Sequence, residues 1–185
     1  MNDFLPLKSH SLFIDRDGVI NSRIYGGYVT KIQEFHFLPG VFESFKIFNR
    51  VFDKIIVVTN QQGVGKGLMT LSDLEAIHSY MVDAIVKNGG RVDAIYYCTQ
   101  LADRPDNCRK PGKFMALKAK ADYPAIEFTK SVMAGDSESD ILFGKNSGMK
   151  TVLIGNEKLP ESLKPDYHFN DLLSFAEKLE KEFFL

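Results

Sequence analysis

Five short apolar runs alternate with amphipathic stretches along this chain. They cover residues 11–15, 54–59, 94–98, 131–135 and 151–155. The runs are rich in β-branched residues and do not alternate polar with apolar positions, which is typical of strands buried on both faces. Such an alternation of strands and helices predicts an α/β fold, with a parallel sheet and helices on both sides.

The stretches between the runs have the spacing of helices. One helix follows Pro39, and a second fits a capping box of Ser72 and Glu75. A third ends before Pro124, a fourth covers residues 137–147 with Gly148 after its end, and a fifth covers residues 171–184. The positions predicted to face the core are Val41, Phe45, Phe48 and Phe52, then Leu74, Ile77, Met81 and Ile85, then Phe114, Leu117 and Ala121, and finally Leu172, Phe175, Leu179 and Phe183.

Composition places the chain among ordinary globular proteins. It has 185 residues, of which 44% are hydrophobic and 25% charged, with a formal net charge of −1. We expect a single domain over residues 1–185, a monomer in the cytoplasm, and no binding to nucleic acid or membranes. The two cysteines, Cys98 and Cys108, do not form a disulfide framework and fit a reducing compartment.

Polar residues gather where the runs end, which is where parallel α/β sheets bind ligands. The first run ends in Asp15, and Asp17 and Gly18 follow. Two carboxylates this close repel each other unless a cation or a shared proton relieves them, and a hard divalent metal is a natural partner. A solvated loop is the ordinary alternative for such a pair.

Two further segments could hold phosphate. Thr59 ends the second run, and the glycine-rich segment after it offers backbone amides to phosphoryl oxygens. An ordinary turn explains that segment equally well, and it is not a nucleotide-binding P-loop because Lys66 is followed by Gly67. Arg109 and Lys110 form a cation pair that could neutralise a phosphate or simply be solvated.

A fourth segment places Asp136 at the end of the fourth run and Asp140 one helical turn later. Capping of a helix N-terminus explains Asp140 well, but it explains Asp136 less well. Together, and in this order, the four segments resemble the four signature motifs of the haloacid dehalogenase (HAD) superfamily over about residues 12–155. The resemblance implies a three-layer, Rossmann-like fold.

The resemblance also implies roles. Asp15 would be the nucleophile that forms an aspartyl-phosphate, and Asp17 would be the general acid and base. Thr59 and Lys110 would stabilise the transferred phosphoryl group. Mg²⁺ would be held by Asp15, the backbone carbonyl of Asp17 and Asp136. Asp140 would orient Lys110 or the metal shell rather than bind the metal directly.

A closer resemblance is carried by the phrases at residues 15–21, 27–29, 58–61, 96–98 and 108–111. They are similar to those of the D-glycero-D-manno-heptose 1,7-bisphosphate phosphatases and the related histidinol-phosphate phosphatases. These enzymes have no separate cap domain, and the chain has no room for one between Asp17 and Pro39 or between Thr59 and Ser72. By position, the substrate-binding residues would be Tyr28, Asn60, Gln61, Gln62 and Arg109.

The chain also departs from that family. The family's zinc loop has four ligands, C-x-H and then C-x-C, of which only Cys98 and Cys108 remain. Zinc is therefore not expected, and the cysteines should be an ordinary strand residue and an ordinary loop residue. Gln62, Lys66 and Ser137 also replace the family's usual residues, which bears on the substrate more than on the chemistry.

The sequence thus predicts a Mg²⁺-dependent phosphatase acting on a small phosphorylated metabolite, with heptose 1,7-bisphosphate as the leading substrate. Histidinol phosphate is the alternative substrate. A non-catalytic HAD binding domain is the alternative class, although such domains commonly lose the nucleophile or the metal ligand that this chain keeps. A phosphotransferase or mutase is less compatible with the absence of a cap. The histidines (His10, His36, His78 and His168) are expected at the surface or bonded in the core.

Overall fold

A sheet of six parallel strands forms the centre of the computed structural model, which describes residues 10–104 and 106–184, with side chains through residue 182. The strands are β1 (Ser11–Ile14), β2 (Lys54–Asn60), β3 (Ala94–Cys98), β4 (Ser131–Gly135), β5 (Lys150–Ile154) and β6 (Tyr167–Phe169). Their order is β3-β2-β1-β4-β5-β6, which confirms the predicted parallel sheet. The sequence pattern does not predict β6, because its three residues give no apolar run.

Helices cover both faces of the sheet. They are α1 (Val41–Val51), α2 (Gln62–Gly65), α3 (Leu71–Lys87), α4 (Phe114–Asp122), α5 (Glu138–Ser147) and α6 (Leu172–Phe184), with short 3₁₀ turns at Ile32–Glu34 and Phe128–Lys130. Leu12 and Ile14 of β1 pack in the core shared with α1, α3 and α6, whereas Phe13 packs in the core shared with α4 and α5. The predicted three-layer fold is therefore confirmed.

Among residues 10–104 and 106–184, the structure shows no separate cap domain. Only the single turn α2 lies between β2 and α3, and only a loop with one 3₁₀ turn lies between β1 and α1. Among the described residues, no helix is both long and apolar enough to cross a membrane.

The predicted start of α3 is wrong by two residues. Thr70, not Ser72, caps the helix: its Oγ1 accepts a hydrogen bond from the Asp73 amide at 3.1 Å. Asp73 Oδ2 accepts one from the Thr70 amide at 2.8 Å, which completes the capping box. The backbone at Thr70 is extended, which is the conformation typical of a helix N-cap.

The predicted face of α4 is also wrong. Phe114 and Leu117 are 58% and 55% exposed, and Ala121 is exposed as well. The buried face is formed by the residues Met115, Ala116 and Ala119. Two of these side chains are small, so α4 can lie close to β3. The predicted faces of α1, α3 and α6 are buried, except that Phe183 lies outside the described side chains.

Candidate active site

A cavity of about 550 Å³ opens at the carboxyl ends of the central strands. It is lined by groups from the loop after β1, from the end of β2, from the loop after β3 and from the start of α5. The residues that line it are Asp15, Arg16, Asp17, Arg23, Ile24, Tyr25, Gly26, Gly27, Tyr28, Val29, Thr59, Asn60, Gln61, Lys66, Arg109, Lys110, Ser137 and Ser139. The sheet topology thus brings all four segments to the cavity, the fourth through Ser137 and Ser139, and Asp136 of that segment lines the neighbouring cavity.

Asp15 stands at the floor, one residue beyond β1. Its amide donates to the carbonyl oxygen of Ala134 at 2.9 Å, which continues the pairing of β1 with β4. Its Oδ1 accepts hydrogen bonds from the Arg16 amide and from Lys110 Nζ, both at 2.7 Å. The carboxylate is therefore fixed in place and paired with a cation.

Lys110 is held by three oxygens. Its Nζ lies 2.7 Å from Asp15 Oδ1 and 2.6 Å from Asp140 Oδ1, and it donates to the carbonyl of Val58 at 2.8 Å. Asp140 Oδ2 accepts from the amide and hydroxyl of Ser137, so this buried acid both caps α5 and orients Lys110. The ammonium group thus faces the Asp15 carboxylate with its direction fixed.

Asn60 holds the backbone of Lys110. Its Oδ1 accepts from the Lys110 amide at 2.9 Å, and its Nδ2 donates to the Lys110 carbonyl at 3.2 Å. Asn60 lines the cavity, but both ends of its amide are already bonded. The structure therefore gives this expected substrate ligand a second task, the placement of Lys110.

Asp17 is surrounded by hydrogen-bond donors. Arg16 donates to both of its oxygens, Asn21 Nδ2 donates to Oδ1 at 2.9 Å, and Gln61 Nε2 donates to Oδ2 at 2.8 Å. Burial alone would raise the pKa of Asp17, but the Arg16 charge and these hydrogen bonds outweigh it and lower the pKa. Asp17 is therefore ionised at neutral pH in this arrangement.

Arg16 is fully buried and is itself held in place. Its Nη1 donates to Nε2 of His78 at 3.2 Å, and its guanidinium lies over the ring of Phe35. Burial, followed by the Arg16 charge, lowers the pKa of His78 to about 3, so this histidine is neutral and accepts the bond. His78 is thus a bonded core residue, as expected.

Thr59 and Gln61 form a second bonded pair at the cavity wall. Gln61 Nε2 donates to Thr59 Oγ1 at 2.8 Å as well as to Asp17. The hydroxyl hydrogen of Thr59 therefore stays available for an acceptor in the cavity. Gln61, like Asn60, is an expected substrate ligand whose amide supports a neighbouring catalytic candidate.

Asp136 follows β4 and approaches Gly18 closely. Gly18 has φ +94°, and a Cβ there would lie 1.8 Å from Asp136 Oδ2, so no side chain is compatible with this approach. Burial first, and then the charges of Asp15 and Asp140, raise the pKa of Asp136 to about 8. Burial and the Asp140 charge likewise raise the pKa of Asp15 to about 6, against the opposing effect of Lys110.

These acids fit a magnesium ion. Carboxylate oxygens of Asp15, Asp136 and Asp140 lie within 4.8 Å of one another, and oxygen is the ligand that Mg²⁺ prefers. Arg23 Nη2 donates to Asp136 Oδ1 at 2.6 Å and to the Asp17 carbonyl at 3.2 Å, and lies 4.0 Å from Asp15 Oδ2. The Arg23 guanidinium thus already places a positive charge among the oxygens of Asp136, Asp17 and Asp15.

The rim of the cavity carries Tyr28, Lys66 and Arg109. Lys66 Nζ lies 5.2 Å from the centre of the Tyr28 ring, and its hydrogen bond lowers the pKa of that phenol. Arg109 Nη1 is buried without a hydrogen-bond partner among the described residues. Gln62 does not line the cavity; it lies behind Tyr28 and joins that hydroxyl to the amide of Ala102.

The two cysteines are not separate thiols. Cys98 is the last residue of β3 and Cys108 lies in the loop after it, as expected, but the two form a disulfide, which the sequence did not predict. For this disulfide to form, the loop after β3 must bring Cys108 back beside Cys98. Gln100 Oε1 stabilises that path by accepting a hydrogen bond from the Cys108 amide at 2.9 Å. Disulfides are more typical of oxidising compartments, and the location of this chain in the cytoplasm stays a prediction.

Sequence reasoning missed Arg16, Arg23 and Asn21 as members of the site. One signal for Arg16 was available, because a cation between two acids that follow a buried strand is expected to pair with one of them. Arg23 gave no such signal, because it lies in the irregular segment between β1 and α1, the flap, whose path the sequence does not specify.

Comparisons with known proteins agree with this geometry. Residues 107–175 match the HAD-hydrolase-like family. The D-glycero-beta-D-manno-heptose-1,7-bisphosphate 7-phosphatase of Helicobacter pylori strain J99 is 37% identical over 145 residues, which are 78% of this chain and 82% of the relative. The alpha-heptose counterpart of Campylobacter jejuni is 36% identical over 155 residues, covering 84% and 87% of the two chains.

A solved structure gives the same result. The D,D-heptose 1,7-bisphosphate phosphatase of B. bronchiseptica, crystallised with magnesium and phosphate, superposes with a TM-score of 0.83 at 30% identity. The match covers 93% of this chain and 98% of that one. This chain is therefore a phosphatase of the HAD type and belongs to the family of the D-glycero-D-manno-heptose-1,7-bisphosphate 7-phosphatases.

Proposed function

We propose that this enzyme removes the 7-phosphate of D-glycero-D-manno-heptose 1,7-bisphosphate, with Asp15 as the nucleophile and Mg²⁺ as the cofactor. The observation that carries the proposal is the position of Lys110 Nζ, 2.7 Å from Asp15 at the floor of the cavity. The buried carboxylate at the end of the parallel strand would be the nucleophile, and the cation fixed beside it would bind phosphoryl oxygens.

The reaction would begin with attack of the Asp15 carboxylate on phosphorus. An aspartyl-phosphate forms as the bond from phosphorus to the sugar oxygen breaks. Lys110 and the free hydroxyl hydrogen of Thr59 would bind the equatorial oxygens of the transferred group. Asp140 and Asn60 would keep Lys110 in place while it exchanges its bond to Asp15 for one to the transferred group.

Asp17 would handle the protons. In the first step it protonates the departing sugar oxygen, and in the second it takes a proton from the water that attacks the aspartyl-phosphate. Its donors Arg16, Asn21 and Gln61 favour the ionised form, which is the form that activates water. Protonation for the first step therefore requires Asp17 to give up part of this hydrogen bonding.

The metal would be held by Asp15, the carbonyl oxygen of Asp17 and Asp136. When bound, Mg²⁺ supplies positive charge that offsets the repulsion between the nucleophile and the phosphate dianion. Gly18 contributes by letting Asp136 approach the loop after β1.

The second phosphate of the substrate would lie at the rim. Arg109 Nη1 is buried without a partner among the described residues, and leaving such a donor unpaired costs about 1–3 kcal/mol. A phosphate oxygen would satisfy it, with Lys66 and the Tyr28 hydroxyl as further donors. The cavity thus has two groups of cationic side chains, Lys110 at the floor and Arg109 with Lys66 at the rim. A substrate with two phosphates matches this arrangement.

We also propose that the enzyme acts as a monomer on this small substrate, not on nucleic acid, and does not need zinc. The net charge of −1 gives no attraction for polyanions such as nucleic acid. The disulfide between Cys98 and Cys108 takes up the two thiolates that could have held zinc.

The test is a substrate panel with the purified protein and Mg²⁺. Both anomers of heptose 1,7-bisphosphate, the heptose 1-phosphate and 7-phosphate, histidinol phosphate and a phosphopeptide are compared by kcat/KM, with the Asp15→Asn variant as background. We expect a bisphosphate to rank first and to lose only its 7-phosphate. A higher rank for histidinol phosphate or for the phosphopeptide would reject the substrate.

A further inference from the structure

The flap between β1 and α1 brings Arg23 to the acids of the site. Arg23 Nη2 donates to Asp136 Oδ1 at 2.6 Å and to the Asp17 carbonyl at 3.2 Å, and lies 4.0 Å from Asp15 Oδ2. These three groups are the proposed ligands of the metal. One nitrogen of the chain therefore occupies the space between all three.

Arg23 and the metal would use the same oxygens. Mg²⁺ takes its oxygen ligands at about 2.1 Å in near-octahedral geometry. An ion bound to Asp136 Oδ1 and the Asp17 carbonyl would need the lone pairs to which Arg23 Nη2 now donates. The guanidinium must move before the ion can take its place.

The surroundings allow that movement. The side chain of Arg23 is 32% exposed, and it lines both the substrate cavity and a second cavity of about 690 Å³ on the other side of the flap. Neighbouring Tyr25 is 89% exposed, so this part of the flap is not packed in the core. Arg23 can therefore leave Asp136 without disturbing buried side chains.

Lys110 could not take over the role of Arg23. It is buried, and its Nζ is bonded to Asp15, Asp140 and the Val58 carbonyl. Within the part of the chain that the structure describes, Arg23 is the cation within ion-pair distance of Asp136. When Asp136 is ionised, its charge is thus balanced either by Arg23 or by a bound ion.

We propose that Arg23 is an internal competitor of Mg²⁺ for Asp15, Asp17 and Asp136, so that the chain itself weakens its metal site. The proposal rests on the proposed function, because it uses the same metal ligands. Its consequence is quantitative: if Arg23 is engaged in nine molecules of ten, the apparent affinity for Mg²⁺ is reduced about ten-fold.

Calorimetric titration of the EDTA-treated, dialysed protein with Mg²⁺ tests the proposal. Arg23→Met removes the competitor and keeps an unbranched apolar stem, whereas Arg109→Met removes one positive charge from the same cavity without touching the acids. We expect Arg23→Met to bind Mg²⁺ about ten-fold more tightly than the wild type, and by more than Arg109→Met does. Equal tightening in the two variants, or weaker binding in Arg23→Met, would overturn the competition.

A second measurement uses the unaltered protein. The Nε–Hε resonance of Arg23 should shift during the Mg²⁺ titration, and the midpoint of the shift should equal the calorimetric midpoint. The resonance is assigned by its loss in Arg23→Met. If that variant does not fold, Arg23→Lys serves the same purpose. An Arg23 resonance that does not respond while Mg²⁺ binds would reject the inference alone. Failure of both wild type and variant to bind Mg²⁺ would reject the metal site of the proposed function, and the inference with it.

Discussion

Asn60 bonds both polar atoms of the Lys110 backbone, accepting from its amide at 2.9 Å and donating to its carbonyl at 3.2 Å. Asn60 ends β2, whereas Lys110 lies in the loop after β3, 50 residues later. The pair therefore ties an otherwise irregular loop to the sheet at the point where its lysine enters the site.

The first prediction concerns this tie. Asn60→Ala should lower kcat by about 10- to 100-fold with a smaller effect on KM, because Lys110 loses its alignment with the transferred phosphoryl group. The free energy of unfolding should also fall by about 1–3 kcal/mol, since two backbone groups lose their partner. Steady-state kinetics and urea denaturation measure the two effects.

Asn88→Ala is the matched control for Asn60→Ala. Asn88 Nδ2 also donates to a backbone carbonyl, that of Ala84 at the end of α3, far from the site in the fold. This variant should lose stability but keep its kcat. If Asn60→Ala retains full kcat, Asn60 does not position Lys110.

Asp15→Asn should lower kcat by at least about a thousand-fold while the protein stays folded, because the amide keeps the shape of the side chain but is not a nucleophile. Circular dichroism verifies the fold, and Asp83→Asn at the exposed surface of α3 controls for the loss of a negative charge. Substantial turnover by a folded Asp15→Asn protein would exclude Asp15 as the nucleophile.

The sequence predicts the scaffold of the site well because periodicity is local information. Short apolar runs give β1 and β4, and their ends give Asp15 and Asp136. Parallel topology then brings those ends to one edge without any knowledge of contacts. The fold and the order of the acids could therefore be predicted.

Other features depend on contacts that no local pattern encodes. Arg23 reaches Asp136 across 113 residues, and the partner of Cys98 is decided by the path of the loop after β3. The sequence also suggested that Asn60 serves the substrate, because residue type alone does not tell whether an amide faces the cavity or the backbone. In α4, Phe114 is exposed, so the rule that large apolar residues face the core gives the wrong face for this helix.

The free energy of unfolding should depend on pH because the carboxyl groups of Asp15 and Asp136 lie close together and are largely buried. Burial and neighbouring charges raise the pKa of Asp15 from 3.8 to about 6 and that of Asp136 from 3.8 to about 8. Between the ordinary and the raised values, the folded protein holds protons that the unfolded chain has released. In chelator the free energy of unfolding should therefore fall as pH rises from 5, until about pH 6 for Asp15 and until about pH 8 for Asp136, by up to about 1.4 kcal/mol per pH unit for each carboxyl within its own range.

Added Mg²⁺ should reduce this fall, because it binds the ionised carboxylates and stabilises the folded protein most at pH 8. Asp136→Asn in chelator should show a shallower slope, since one of the two groups is gone. Urea denaturation at each pH measures these slopes. Stability that rises with pH in chelator would contradict the raised values. Asp17 does not interfere, because its lowered pKa places its own effect below pH 3.8.

The protein should not contain stoichiometric zinc. Cys98 and Cys108 are joined, and after reduction they would still offer only two thiolates, whereas structural zinc generally takes four ligands. Elemental analysis after expression with added zinc measures the metal, and thiol titration should find no free thiol before reduction and two after it. Cys108→Ser, with one thiol in both conditions, controls the titration. One zinc per chain would show that other side chains complete a site.

Arg109 should serve recognition more than chemistry. Its buried Nη1 has no partner among the described residues, and its side chain lines the rim of the cavity, whereas Lys110 beside it contacts Asp15. Arg109→Ala should therefore lower kcat/KM for heptose 1,7-bisphosphate by about 10- to 100-fold, the effect of losing a charge-assisted hydrogen bond. The loss for p-nitrophenyl phosphate should be much smaller, because that substrate carries no second phosphate.

The control for Arg109→Ala is Arg104→Ala, which removes an exposed arginine from the same loop. It should leave kcat/KM unchanged for both substrates. The backbone amide of Arg109, which donates to Asn107 Oδ1 at 3.0 Å, is kept in the alanine variant, so the loop should hold its path. An equal loss of activity on the bisphosphate and on p-nitrophenyl phosphate would place Arg109 in the phosphoryl-transfer chemistry, and the second phosphate would then need another binding group at the rim.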